Sequence, residues 1–172
     1  MATAKNKIKK LGEVIKITQK AKGVGKKVVT TSGCFDLLHL GHVRYLEHAK
    51  SLGDILIVGV NSDESVKRNK GPRRPLVPQK ERAELLVALK PVDFVFIFDE
   101  ETPARWIQKI KPDVFAKGSD YTVNEIRGVI GNVVEKNGGR IMLVPEVKGR
   151  STTELIRRIA RLGKNYRKKP QR

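Results

Sequence analysis

Five short apolar runs recur along the chain at intervals of about 25 residues, with stretches of helical apolar spacing between them. Val28 to Thr31 is the first run, and the helix after it carries Val43, Leu46, Ala49 and Leu52, with Gly53 placed as a C-terminal cap. Ile55 to Val60 is apolar on both faces, as a central strand of a parallel sheet must be. Phe94 to Phe98, Val114 to Ala116 and Arg140 to Val144 are the remaining strands. Helices are predicted from Pro78 through Leu89, from Thr102-Pro103 through Ile110, more weakly from Val123 to Lys136, and from Ser151 through Leu155, Ile156 and Ile159. Strands alternating with helices predict βαβ units, hence an α/β, doubly wound, parallel five-stranded sheet in a single domain. A length of 172 residues with 39% hydrophobic content fits one buried core.

The formal net charge of +18 first suggests a polyanion binder. Its distribution changes that reading. Residues 1–27 hold nine lysines and one acid, and residues 157–172 hold eight basic residues and no acid. Residues 28–156 hold nineteen basic and seventeen acidic side chains, a net of only +2. The chain therefore divides into a basic N-terminal segment, 1–27, with an amphipathic helix within Lys5 to Lys22 (Ile8, Leu11, Val14, Ile15, Ile17), a domain, 28–162, that is nearly neutral up to residue 156, and a basic tail, 163–172, expected to be disordered. One cysteine, Cys34, excludes an intramolecular disulfide. No apolar run approaches the roughly 20 residues that span a bilayer, and the amino terminus lacks an apolar signal core. The expectation is a cytoplasmic protein without a membrane partner.

In a parallel open sheet, ligands bind beyond the carboxyl ends of the strands. That rule selects Gly33 to His42, Asn61 to Lys70, Lys117 to Tyr121 and Pro145 to Thr153. Lys67 to Pro78, with four prolines or glycines among five basic residues, is expected to be one long positive loop. The segment Thr31 to His42 passes from a strand end into a helix start, where free N–H groups and the helix dipole attract an anion. His39 and His42 offer two imidazole donors there, and Gly41 lets backbone approach a phosphate. A zinc site would need a third ligand, which no neighbouring cluster supplies. Cys34 reads as a small buried residue rather than a nucleophile. Ser151-Thr152-Thr153-Glu154 fits a capping box and, equally, a phosphate-binding helix start. Gly23-Val24-Gly25-Lys26-Lys27 precedes a strand and has no Ser or Thr after the lysine, so it is not a P-loop.

Gly33-Cys34-Phe35-Asp36 followed by His39-Leu40-Gly41-His42 resembles the signature of the cytidylyltransferase-like nucleotidyltransferase superfamily, with its H-x-G-H element. Val58 to Asp63, Lys70-Gly71-Pro72-x-Arg74-Pro75, Glu81-Arg82, Glu100 to Pro103, Lys111 to Val114, Lys117 to Tyr121 and Gly149 to Thr153 are similar to its heptose 1-phosphate adenylyltransferase branch. The resemblance runs from about Ile8 to Ile159 and implies a Rossmann-like fold.

It also implies roles. His39, His42 and Lys70 would be catalytic. Gly33, Cys34, Phe35, Asp36, Gly41, Lys117, Gly118, Arg150, Ser151, Thr152 and Thr153 would bind the nucleotide. Asp36, Arg82, Asp120 and Tyr121 would meet the sugar phosphate, and no residue would hold a resident metal. The implied reaction joins ATP, with Mg²⁺ carried on its triphosphate, to a sugar 1-phosphate, in a homodimer that needs no nucleic acid. Ser32 and Ser119 stand where members often carry Asn and Gly, and Glu146-Val147-Lys148-Gly149 replaces the Arg-Thr-x-Gly of the cytidylyl branch. The alternatives are another adenylyl or cytidylyl transfer, such as FAD synthesis or glycerol 3-phosphate activation, or a non-catalytic nucleic-acid binder.

Overall fold

The apolar runs lose all exposure: Val28, Val29, Leu56, Ile57, Val58 and Val60 are completely buried. In the computed structural model, which describes residues 4–119, 127–145, 147 and 149–166, they belong to a five-stranded sheet. Its strands are β1 (Val28–Gly33), β2 (Ile55–Asn61), β3 (Phe94–Phe98), β4 (Val114–Gly118) and β5 (Arg140–Val144). The order is β3-β2-β1-β4-β5 and every neighbouring pair is parallel, as the strand and helix alternation predicts. Val28 stands opposite Ile55 and Val29 opposite Val114. The chain winds outward from β1 to β3 on one side and from β4 to β5 on the other, so the order reverses between β1 and β4.

Seven α-helices are described: α1 (Leu11–Gly23), α2 (Leu40–Ser51), α3 (Asp63–Lys70), α4 (Gln79–Val87), α5 (Ala104–Ile110), α6 (Asn132–Lys136) and α7 (Thr152–Tyr166). Side chains alternate across a strand, and both faces are covered. Leu46 and Ala49 of α2 and Ala83, Leu86 and Val87 of α4 pack with Val29, Leu56, Val58 and Val60. On the opposite face Val14 and Ala21 of α1, Trp106, Ile107 and Ile110 of α5 and Val134 of α6 pack with Val28, Ile57, Phe96 and Phe115. Trp106 meets Phe96 edge-on, with ring centroids 5.2 Å apart, a favoured aromatic geometry. This is the Rossmann-like, doubly wound arrangement.

Four local expectations are corrected. The expected loop from Lys67 begins only at Gly71, because Lys67, Arg68 and Lys70 form the last turn of α3. Ser62 caps that helix by accepting the Ser65 N–H at 3.0 Å, and the Asp63, Glu64 and later basic residues suit its dipole. Ile8 is not in a helix: it bridges to Val95, with the Lys9 N–H donating to the Val95 carbonyl at 2.8 Å, so residues 8–9 cover the outer edge of β3. Gly53 is not a left-handed cap; a Cβ there would lie 2.7 Å from Val29 Cγ2 and 2.9 Å from the Lys27 carbonyl, so close approach requires the glycine. The helix expected from Val123 is a π-helical turn at Arg127–Gly131 running into α6, its earlier residues lying outside those described.

Helix α7 continues to Tyr166, and residues 167–172 of the basic tail are outside the described set. Ile159 and Leu162 on α7 are 59% and 58% exposed. Among the described residues, no helix is long and apolar enough to cross a membrane.

Candidate active site

A cavity of about 660 Å³ opens at the carboxyl ends of β1, β2, β3 and β4, which contribute Gly33, Asn61, Phe98 and Gly118. Its centre is where the strand order reverses, as expected for an open α/β sheet. Three further segments close around it: the turn after β1, the end of α3 with the loop that follows it, and the start of α7. The first brings Cys34, Phe35, Asp36, His39, Gly41 and His42 to the wall. The second brings Lys70 and Arg74, and the third brings Arg150, Ser151, Thr152 and Thr153. Lys117 comes from β4. Ser151 also caps α7, its hydroxyl oxygen accepting the Glu154 N–H at 3.2 Å.

The two histidines form one unit. His39 is the extended residue before α2 and His42 lies in the first turn, so their rings stack with centroids 3.8 Å apart and 22° between planes. Gly41 makes room for this stack. A Cβ at that position would lie 2.9 Å from the His39 ring and 3.0 Å from the Arg150 carbonyl. Phe35 takes a left-handed backbone, φ 46°, and its ring stands 5.4 Å from that of His42. Burial is the main cause that lowers the His42 pKa to about 4, with the neighbouring His39 acting in the same direction and Asp36 opposing. Burial and then Arg150 lower the His39 pKa. The pair is therefore neutral at pH 7. The Nδ1 atom of each ring is buried and has no hydrogen-bond partner among the described residues, while both rings line the cavity.

Asp36 lines the cavity, but its carboxylate is engaged by protein groups. Arg74 Nε donates to it at 2.7 Å, as do the N–H groups of Leu76 at 3.0 Å and Val77 at 2.9 Å. Arg82 is fully buried within α4 and does not line the cavity. Burial raises the Cys34 thiol above its ordinary pKa, outweighing Lys70, Arg82, Arg74 and Lys117. The thiol is thus protonated at neutral pH, in keeping with an inert role. Asp120 and Tyr121 lie outside the described residues. Asn69 and Glu101, which fall in segments the sequence marked without naming a role for either, and Tyr45, which the sequence did not single out, also reach the wall. Tyr45 donates its hydroxyl to the Ala116 carbonyl at 3.0 Å, tying α2 to β4 across the reversal point. Its place on the cavity side of α2, one turn after His42, is the signal that could have found it. Among the described residues, no group of three or more His, Cys, Asp and Glu side chains is arranged to hold a metal ion.

The family model described as cytidylyltransferase-like matches residues 30–158, which include the carboxyl end of β1, the histidine pair and Ser151 to Thr153. The chain belongs to the cytidylyltransferase-like family. It is 54% identical over 156 residues to the bifunctional protein HldE of Geobacter metallireducens, a match covering 90% of this chain and 31% of that protein. It is 51% identical over 154 residues to the HldE of Geobacter sulfurreducens, covering 89% and 31%. This member of the cytidylyltransferase-like family thus spans about a third of the length of those curated relatives. A solved structure of a lipopolysaccharide core biosynthesis protein from Thermoplasma volcanium superposes with a TM-score of 0.60 at 33% identity, covering 73% of this chain and all of that one. A pantoate-beta-alanine ligase from Francisella tularensis, 16% identical, shares the fold with a TM-score of 0.58 over 87% of this chain and 75% of its own.

Proposed function

We propose that this chain transfers the AMP moiety of ATP to a sugar 1-phosphate, heptose 1-phosphate, giving ADP-heptose and pyrophosphate. The observation that carries the proposal is the gathering of two stacked neutral histidines, Lys70 and the start of α7 around one cavity. Those are the groups expected around a triphosphate. Membership of the cytidylyltransferase-like family and the likeness to HldE support it.

In this reaction an oxygen of the sugar phosphate attacks the α-phosphorus in line and the bond to the bridging oxygen breaks, releasing pyrophosphate. The attacking phosphate is already ionised, so positioning and charge neutralisation are what the protein must supply. His39 and His42 donate N–H hydrogen bonds to phosphate oxygens as charge moves onto the leaving group. Lys70 and the N–H and hydroxyl groups of Ser151 to Thr153 hold the β- and γ-phosphates. Mg²⁺ arrives on the triphosphate as part of the substrate. Residues 28–162 form the transfer unit. The assembly is a homodimer; light scattering would then give about twice 19.3 kDa.

Pyrophosphate release tests the proposal, with ATP or CTP supplied against heptose 1-phosphate, glycerol 3-phosphate and FMN. Turnover is expected with ATP and heptose 1-phosphate, reduced on the order of 10²-fold by His42→Ala in a protein that stays folded. Release only with another pair, or an undiminished His42→Ala rate, overturns it.

A further inference from the structure

Arg82 sits on α4 with no exposed surface, yet it carries one of the most heavily used side chains in the molecule. Its Nε donates to the Val77 carbonyl at 2.9 Å. One Nη2 atom donates to the Asn61 carbonyl at 2.8 Å and to Asp63 Oδ1 at 2.7 Å, and Nη1 donates to the Cys34 carbonyl. These acceptors come from four separate places: the loop before α4, the end of β2, the first residue of α3 and the turn after β1. Asp63 already supplies the opposite charge, so no ligand phosphate is needed to neutralise the guanidinium.

Val77 is held from both sides. Its carbonyl accepts from Arg82, and its N–H donates to Asp36 at 2.9 Å. Asp36 lies two residues after Cys34, whose carbonyl Arg82 also holds. The two charged groups thus close a ring between the turn at residues 34–36 and the loop at residues 74–77. Phe35 stands inside that ring at φ 46°, a conformation costly for a residue with a side chain, and its ring approaches His42.

We infer that Arg82 is a positioning residue for the proposed transfer: with Asp36 it locks the basic loop onto the phosphate turn, so that Lys70, Arg74 and the histidine pair share one cavity. This rests on the proposed function for its substrate, but the lock itself is a property of the free protein. A planar fork serving four acceptors cannot be replaced by a point charge. Lysine at position 82 keeps the charge and loses the lock.

The test joins amide hydrogen exchange to steady-state kinetics. In the wild-type chain without ligand, the Leu76 and Val77 amides are expected to be protected on the order of 10²-fold or more over free peptide. Arg82→Lys and Arg82→Met are both expected to erase most of that protection. Both should raise the KM for ATP about tenfold while kcat moves less than about threefold. If neither variant folds, Asp63→Asn, which removes only the charged acceptor, is expected to weaken Val77 protection and raise the same KM. Unprotected Leu76 and Val77 amides in the wild type overturn the inference. So does an Arg82→Lys protein that keeps both protection and KM, since charge alone would then suffice. A wild type with protected amides and no ATP turnover refutes the proposed function, whereas turnover with unprotected amides refutes the lock.

Discussion

At His42 two causes act together: burial and a second imidazole 3.8 Å away both disfavour the proton. The pKa falls to about 4 in the folded chain against 6.5 for the ordinary group, so below pH 6.5 the unfolded state takes up a proton that the folded state refuses. The contribution is present above pH 6.5 and is lost as pH falls toward 4. Acidifying from pH 7 to 4.5 should therefore cost the wild type about 2–3 kcal/mol more than His42→Gln. Urea midpoints at the two pH values measure this, and equal losses in both proteins would contradict it. Next to this pair, Gly41→Ala places a Cβ 2.9 Å from the His39 ring and 3.0 Å from the Arg150 backbone. The ring must turn out of its stack. We expect a folded protein whose kcat for pyrophosphate release falls on the order of 10²-fold, the effect of misplacing a reacting group by about an ångström.

Helix α3 shows what a single hydroxyl does for an element. Ser62 accepts the Ser65 N–H and donates to Asp99, at the head of a helix of eight mostly polar residues. Ser62→Ala should cost about 1 kcal/mol in denaturant unfolding. It should also raise the ATP KM, because Lys70 ends that helix. Ser62 followed by Asp63 and Glu64 announces a helix start in the sequence, but the nearby Gly71, Pro72 and Pro75 pull the whole basic stretch toward a loop. Capping won locally because the prolines begin only after the helix has ended. The strands were legible for a simpler reason. Runs such as Ile55 to Val60 have no polar face, and only a doubly covered sheet accommodates them. That Gly33 to Asp36, His39, His42, Lys117 and Ser151 would reach one cavity followed from their positions at strand ends. Arg82 was illegible in this sense, since nothing in its neighbourhood along the chain reveals acceptors that come from the turn after β1, the end of β2 and the head of α3. Residue type announces a charge, and only tertiary packing decides whether that charge meets a ligand or its own backbone.

Across the whole molecule, stability is concentrated in the two faces of the sheet and falls away along α7. Trp106, fully buried among Phe96, Phe98 and Phe115, should cost about 3–5 kcal/mol when replaced by Ala. Leu162→Glu, on a side chain 58% exposed, should move stability by no more than about 0.5 kcal/mol in the same measurement. A loss above about 2 kcal/mol at Leu162 would mean that α7 is covered by another surface in solution. The +18 charge changes meaning at this scale, because its excess lies at the two ends while the cavity sits in a nearly neutral body. The basic groups that line the pocket are few: Lys70, Arg74, Lys117 and Arg150.

The short pairing of Ile8 and Lys9 with Val95 has a practical consequence. It acts as a seal on the outermost strand, with the Lys7 ammonium further holding the Val92 carbonyl at 3.0 Å. A protein trimmed of its first ten residues would retain the histidine pair and the whole of the parallel sheet. It would also present the bare backbone of β3 to every other molecule in the tube, and such a strand recruits foreign strands. Shortening this chain at its front end to remove lysines would therefore trade a charged, well-shielded particle for a sticky one.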